Sequence, residues 1–91
     1  MQLTFRIMDE NGVHARPATA LVKMAKTFEN TACFAEAHGK KVKMHSVLAL
    51  LSLDLESGDT ITLSAEGPEE GEALQALKDV IIKERLGELY E

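Results

Sequence analysis

Two segments of this chain alternate apolar and polar residues strictly, and that alternation limits the possible folds more than any other feature. Residues 2 to 8 set Leu3, Phe5 and Ile7 against Gln2, Thr4 and Arg6, and residues 60 to 65 set Ile61, Leu63 and Ala65 against Thr60, Thr62 and Ser64. A period of two marks a strand with one buried and one wet side. A sheet of such strands is apolar on one face only, so every helix must lie on that face.

Elsewhere the period changes. From Pro17 the residues Ala18, Leu21, Met24, Ala25 and Phe28 recur at three- and four-residue steps, which predicts a helix of about three turns. Proline fits the first helical position because its missing N–H would have no partner there. Residues 31 to 37 and 40 to 44 flank Ala37-His38-Gly39-Lys40, and a glycine in so short a connection predicts a hairpin, with Phe34, Val42 and Met44 pointing inward. Ser46 precedes the run Val47-Leu48-Ala49-Leu50-Leu51-Ser52-Leu53, too apolar for a loop, and suits the N-cap of a short helix. Gly67-Pro68-Glu69-Glu70 opens a last helix with a breaker, a proline and acids at the positive dipole end. Ala73, Leu74, Leu77, Val80, Ile81 and Glu84 continue it, Gly87 ends it, and Leu89-Tyr90-Glu91 is a tail. The predicted order is βαββαβα: an α+β open-faced β-sandwich, its four-stranded antiparallel sheet covered on one face by three helices. The patterns do not order the strands, and a ferredoxin-like sheet is the neighbouring alternative.

Ninety-one residues make one domain, 1–91, with no room for a second. No apolar run approaches the ~20 residues of a membrane span, and the first residues alternate instead of showing a basic start and an apolar block. No secretory signal or membrane insertion is expected, and a cytoplasmic location is the default. The one cysteine, Cys33, cannot form an internal disulfide and reads as a small buried strand residue. His14, His38, His45 and Cys33 show no short ligand spacing, so no metal is expected. No P-loop, dinucleotide fingerprint or Ser-His-Asp arrangement is present, and no cofactor is called for. The net charge of −5 argues against direct nucleic-acid binding. Its distribution says more. Gly12 to Phe28 holds Arg16, Lys23 and Lys26 without an acid, whereas Glu66 to Glu91 holds eight acids against Lys78, Lys83 and Arg85. One end is suited to an acidic partner.

That end carries the first candidate site. Gly12-Val13-His14-Ala15-Arg16-Pro17-Ala18 joins the first strand to the first helix. Helix-start amides lack intrahelical partners and sit at the positive end of the macrodipole, so Ala15, Pro17 and Ala18 belong to a turn that would cradle an anion. A lone histidine usually has no special role. Beside Arg16, at a helix start and without a nearby acid, a positive imidazolium is disfavoured, which leaves His14 a neutral nucleophilic nitrogen. Ser46 is the second candidate: capping explains it, and a phosphate at a helix start would be tolerated there with little structural change. The third is a surface. Leu50 and Leu53 share the core side of the short helix, while Val47, Leu48 and Leu51 cluster where the same sheet cannot cover them. Thr19, Lys23 and Lys26 share one side of the first helix, and together these residues would form an interface with an apolar centre and a basic rim.

The segments Gly12 to Ala18, Gly39-Lys40-Lys41-Val42, Ser46 to Leu53 and Ile61-Thr62-Leu63-Ser64-Ala65-Glu66-Gly67 together resemble the HPr family, the histidine-containing phosphocarriers of the bacterial sugar phosphotransferase system. The likeness runs over nearly the whole chain in order. It implies that His14 receives a phosphoryl group on Nδ1 from phosphorylated enzyme I and passes it to sugar-specific IIA domains, with Arg16 balancing the phosphate and the helix-start amides holding it. It also implies that Ser46 is the regulatory site of an HPr kinase/phosphorylase, the phosphoserine form serving as corepressor for a catabolite-control transcription factor. By position, Thr19, Lys23, Val47, Leu48 and Leu51 would form the partner surface. The chain carries His45 and Ala49 where many regulated members have lysine and glycine. The expectation is a monomeric carrier and protein substrate, with no turnover of its own. Two alternatives stand beside it: a regulatory module acting mainly through phospho-Ser46, and a small ligand-binding domain that transfers nothing. Domain-swapped dimers occur among such regulatory paralogues.

Overall fold

The alternating segments pair with one another. In the computed structural model, which describes residues 1–90, β1 (Gln2–Ile7) lies antiparallel to β4 (Thr60–Glu66), with Leu3 opposite Leu63 and Phe5 opposite Ile61. β2 (Ala32–Ala37) runs along the other side of β4 and forms the expected hairpin with β3 (Lys40–Lys43). The helices are α1 (Ala15–Lys26), α2 (Val47–Leu51) and α3 (Glu70–Lys83). Phe5, Ile7, Ile61 and Leu63 from the sheet are buried in one core with Leu21, Leu50, Leu77 and Ile81 from the helices. The opposite face is polar, with Thr4 and Thr62 sharing a 2.9 Å hydrogen bond and Arg6 lying over the Tyr90 ring. The α+β open-faced architecture is therefore the one the alternation requires.

The sheet goes one strand further than expected. Gly87 does not end a helix but begins β5 (Gly87–Leu89), which pairs antiparallel with β1 and gives the strand order β3-β2-β4-β1-β5. A side chain at Gly87 would put its Cβ 2.3 Å from the Arg6 carbonyl oxygen, so only glycine allows this approach. The helix stops earlier, at Lys83, through the hydrogen bonds of a Schellman motif. Arg85 N–H donates to Ile82 O and Leu86 N–H to Ile81 O, at 3.0 and 2.9 Å. Arg85 takes the left-handed conformation, φ 55°, usually filled by glycine. Leu86 and Ile81 are both buried, supplying the apolar contact that accompanies the motif. The tail thus becomes an edge strand as far as Leu89, and Glu91 lies outside the described residues.

Two further expectations are corrected. Phe34 faces away from the core: β4 turns Leu63 and Ala65 inward, and their partners Ala35 and Cys33 share that face, so the residue between them cannot. Phe34 instead carries the Lys41 ammonium over its ring at 4.9 Å. Val42, opposite Ala35, and Met44 do point inward. Helix α1 begins two residues before Pro17, which occupies the third helical position. Its missing N–H is harmless there too, because the first intrahelical bond is donated by Ala18 to His14 O at 3.1 Å.

Candidate functional site

His14 is the N-cap of α1, with extended backbone (φ −103°, ψ −176°) and a side chain that does not cap the helix. The N–H groups of Ala15 and Arg16 precede the first intrahelical bond, and the first turn contains no acid. Ala15 and Arg16 are exposed, whereas Pro17 and Ala18 are buried and anchor the turn in the core. The chain reaches this point through a tight turn at Gly12, whose φ is 64°. A Cβ there would lie 2.2 Å from Leu55 O, the atom that also accepts from Val13 N–H at 3.1 Å. Glycine is needed on both counts.

The same turn brings an acid to the histidine. Asp9 Oδ2 lies 3.3 Å from His14 Nε2, with side-chain exposures of 14% for the aspartate and 34% for the histidine. His14 therefore has an acid beside it, where the local sequence predicts none. The acid precedes it by five residues, outside the acid-free stretch, and the turn folds it back. The Asn11 backbone N–H donates to Asp9 Oδ1 at 2.9 Å and holds the carboxyl below its ordinary value; burial pushes it up by less than that bond lowers it, and the hydrogen bond to His14 and the charges of His14 and Arg16 each add a smaller lowering.

Arg16 is 65% exposed and donates from Nε to Glu84 Oε1 at 3.1 Å. Glu84 is the C-cap of α3, where a negative charge opposes the local dipole and a guanidinium relieves it. An exposed pair of this kind adds little stability, up to about 1 kcal/mol. The guanidinium is open to solvent beyond this pair. Glu84 appears in the sequence only as one more residue in a helical run, and nothing there singles it out.

Ser46 caps α2 as expected, its side chain accepting from Ala49 N–H at 3.2 Å. Leu50 and Leu53 enter the core, and Leu48 stands 79% exposed. Val47 and Leu51 are half-buried against the core, so the apolar patch is narrower than three fully exposed side chains would make it. Helix α2 packs beside α1, on whose surface Thr19, Lys23 and Lys26 are exposed. Among the described residues no three His, Cys, Asp or Glu side chains gather as a metal site would require. His38 is engaged elsewhere, 3.0 Å from Leu53 O and 3.1 Å from Asp59. Among the described residues no helix is long and apolar enough to cross a membrane.

The family model described as the PTS HPr component phosphorylation site matches residues 1–83. The histidine-containing phosphocarrier protein of Mycoplasma is 30% identical, with a TM-score of 0.92 over 96% of this chain and 98% of that one. The phosphocarrier protein HPr of Bacillus anthracis is 35% identical, with a TM-score of 0.78 over 88% and 94% of the two chains. Crh, the catabolite repression protein of Bacillus subtilis, was solved as a domain-swapped dimer and is 39% identical, with a TM-score of 0.71 over 82% and 85%. With a family match over most of its length and that family's fold, the chain belongs to the HPr phosphocarriers of the phosphotransferase system.

Proposed function

We propose that the protein is a monomeric cytoplasmic phosphocarrier that accepts a phosphoryl group on His14 from phosphorylated enzyme I and delivers it to sugar-specific IIA domains. The observation that carries this reading is the position of His14: a partly exposed imidazole at the N-cap of α1, beside amides free of intrahelical partners. A phosphoryl group on the ring gains those N–H dipoles, and Arg16, held by an exposed pair with Glu84, turns to it as the stronger anion. Thr19, Lys23 and Lys26, with Val47, Leu48 and Leu51, form the docking surface, an apolar knob with a basic margin. Incubation with phosphoenolpyruvate and enzyme I, followed by mass spectrometry under alkaline conditions that preserve phosphohistidine, tests it. Label on His14 is the expected result; an unlabelled protein overturns the carrier reading.

A second role rests on Ser46 and on the likeness to Crh. Phosphorylation of Ser46 by an HPr kinase/phosphorylase would place about −1.5 to −2 charge at the start of α2, next to Leu48. That charge would change the docking surface without unfolding the helix, and would suit binding to a catabolite-control transcription factor.

A further inference from the structure

Among the described residues the Asp9 carboxylate is the one acid in contact with the His14 ring, and it is the more buried of the two. Its Oδ1 accepts from Asn11 N–H at 2.9 Å and its carbonyl from Gly12 N–H at 2.9 Å. Its own N–H donates to Leu86 O at 3.1 Å, an oxygen that also takes Met8 N–H at 2.8 Å. Leu86 is buried, and it lies beyond the residues that the family model matches. The remaining oxygen, Oδ2, is left for Nε2 of His14.

We infer that Asp9 is a positioning residue for phosphoryl transfer: it holds the proton of the His14 ring on Nε2, so that Nδ1 carries the lone pair that attacks phosphorus. A carboxylate accepts and cannot donate, so the nitrogen facing it is the one that bears hydrogen. The inference rests on the proposed transfer at His14. In that step the Nδ1 lone pair forms the new N–P bond while the N–P bond of the donor protein's phosphohistidine breaks, its electron pair returning to the donor ring. No proton moves. The ring of His14 keeps hydrogen on Nε2 and becomes a phosphoimidazolium, whose positive charge lies against the Asp9 carboxylate. Onward transfer returns the electron pair of the breaking bond to Nδ1 and restores the neutral ring. Asp9 therefore acts without touching phosphorus, by fixing the tautomer and stabilising the cationic ring formed between the two transfers.

The test compares wild type with Asp9→Ala and Asp9→Asn by nitrogen-15 NMR of the unphosphorylated protein, and then by rates of transfer from enzyme I. In wild type a directly bonded proton is expected on Nε2, with Nδ1 at the shift of an unprotonated nitrogen. Asp9→Asn keeps an acceptor and should keep that signal; Asp9→Ala should lose it to exchange. Transfer should slow about three- to fivefold in Asp9→Ala, the scale of one charge pair lost at a partly exposed site, and less in Asp9→Asn. A proton on Nδ1 in wild type, an Nε2–H signal unchanged in Asp9→Ala, or equal transfer rates in all three proteins overturns the inference. The NMR readout needs no phosphoryl donor, so its failure is separable from failure of the carrier reading.

Discussion

Replacing Leu48 by alanine separates docking from folding. Leu48 is 79% exposed on α2, so the folded protein draws little stability from its side chain. The change removes three carbons, each worth about 0.8 kcal/mol when buried, and about four-fifths of that surface is still wet and available to a partner. Full burial in a complex would therefore lose just under about 2 kcal/mol, or roughly 25-fold in affinity. Because the contact would be equally present before and during phosphoryl transfer, it should raise KM and leave kcat alone. Steady-state kinetics with enzyme I across a range of Leu48→Ala concentrations reads this directly. Urea unfolding of the same variant should show a stability within about 0.5 kcal/mol of wild type. A KM within twofold of wild type, with stability retained, would refute the placement of the docking surface at α2.

Three other outcomes follow from the same structure. Ser46→Asp should slow transfer from enzyme I, because it sets a negative charge beside Leu48 while leaving the cap in place; unchanged kinetics would break the link between Ser46 and docking. Gly87→Val should detach β5 from β1, since its Cβ would meet the Arg6 carbonyl oxygen. Amide exchange at Tyr90, whose N–H donates to Thr4 O at 2.8 Å, should then rise well above that of α3. The Asp9 carboxyl, held below its ordinary value chiefly by Asn11 N–H, contributes stability that is complete above about pH 4. That contribution is lost as pH falls through the lower folded value, so the acid slope of stability should flatten in Asp9→Asn; an identical slope would show that the carboxylate contributes nothing.

The parts of the fold visible in the sequence are those set by periodicity. Leu3, Phe5 and Ile7 on β1, and Ile61, Leu63 and Ala65 on β4, can be placed because each strand is long enough to display its alternation. Ser46 could be placed as a cap because a single polar residue opens an apolar run. β5 could not: three residues show no period, and Gly87 looks like a helix stop when the stop is made by Arg85 in a conformation that favours glycine. Phe34 misled because its size argues for the core, whereas register with Leu63 and Ala65 assigns the core to the smaller Cys33 and Ala35. At the candidate site, His14, Arg16 and the helix start were legible as a contiguous motif. Asp9 and Glu84 were not. Asp9 reaches His14 through the left-handed turn at Gly12, and Glu84 reaches Arg16 from the far end of α3, contacts made by tertiary packing that leave no local pattern.

If His14 holds a phosphoryl group in transit, the group must both arrive and leave. A two-step chase tests it most directly: the protein is loaded by enzyme I and phosphoenolpyruvate, separated, and mixed with an unphosphorylated IIA domain while phosphorus NMR at alkaline pH follows the label. Loss of an Nδ1-phosphohistidine signal from His14, matched by its appearance on the IIA domain, is the predicted result. A loaded His14 that keeps its phosphoryl group, or label that persists in His14→Ala, would rule out His14 as the carrier site.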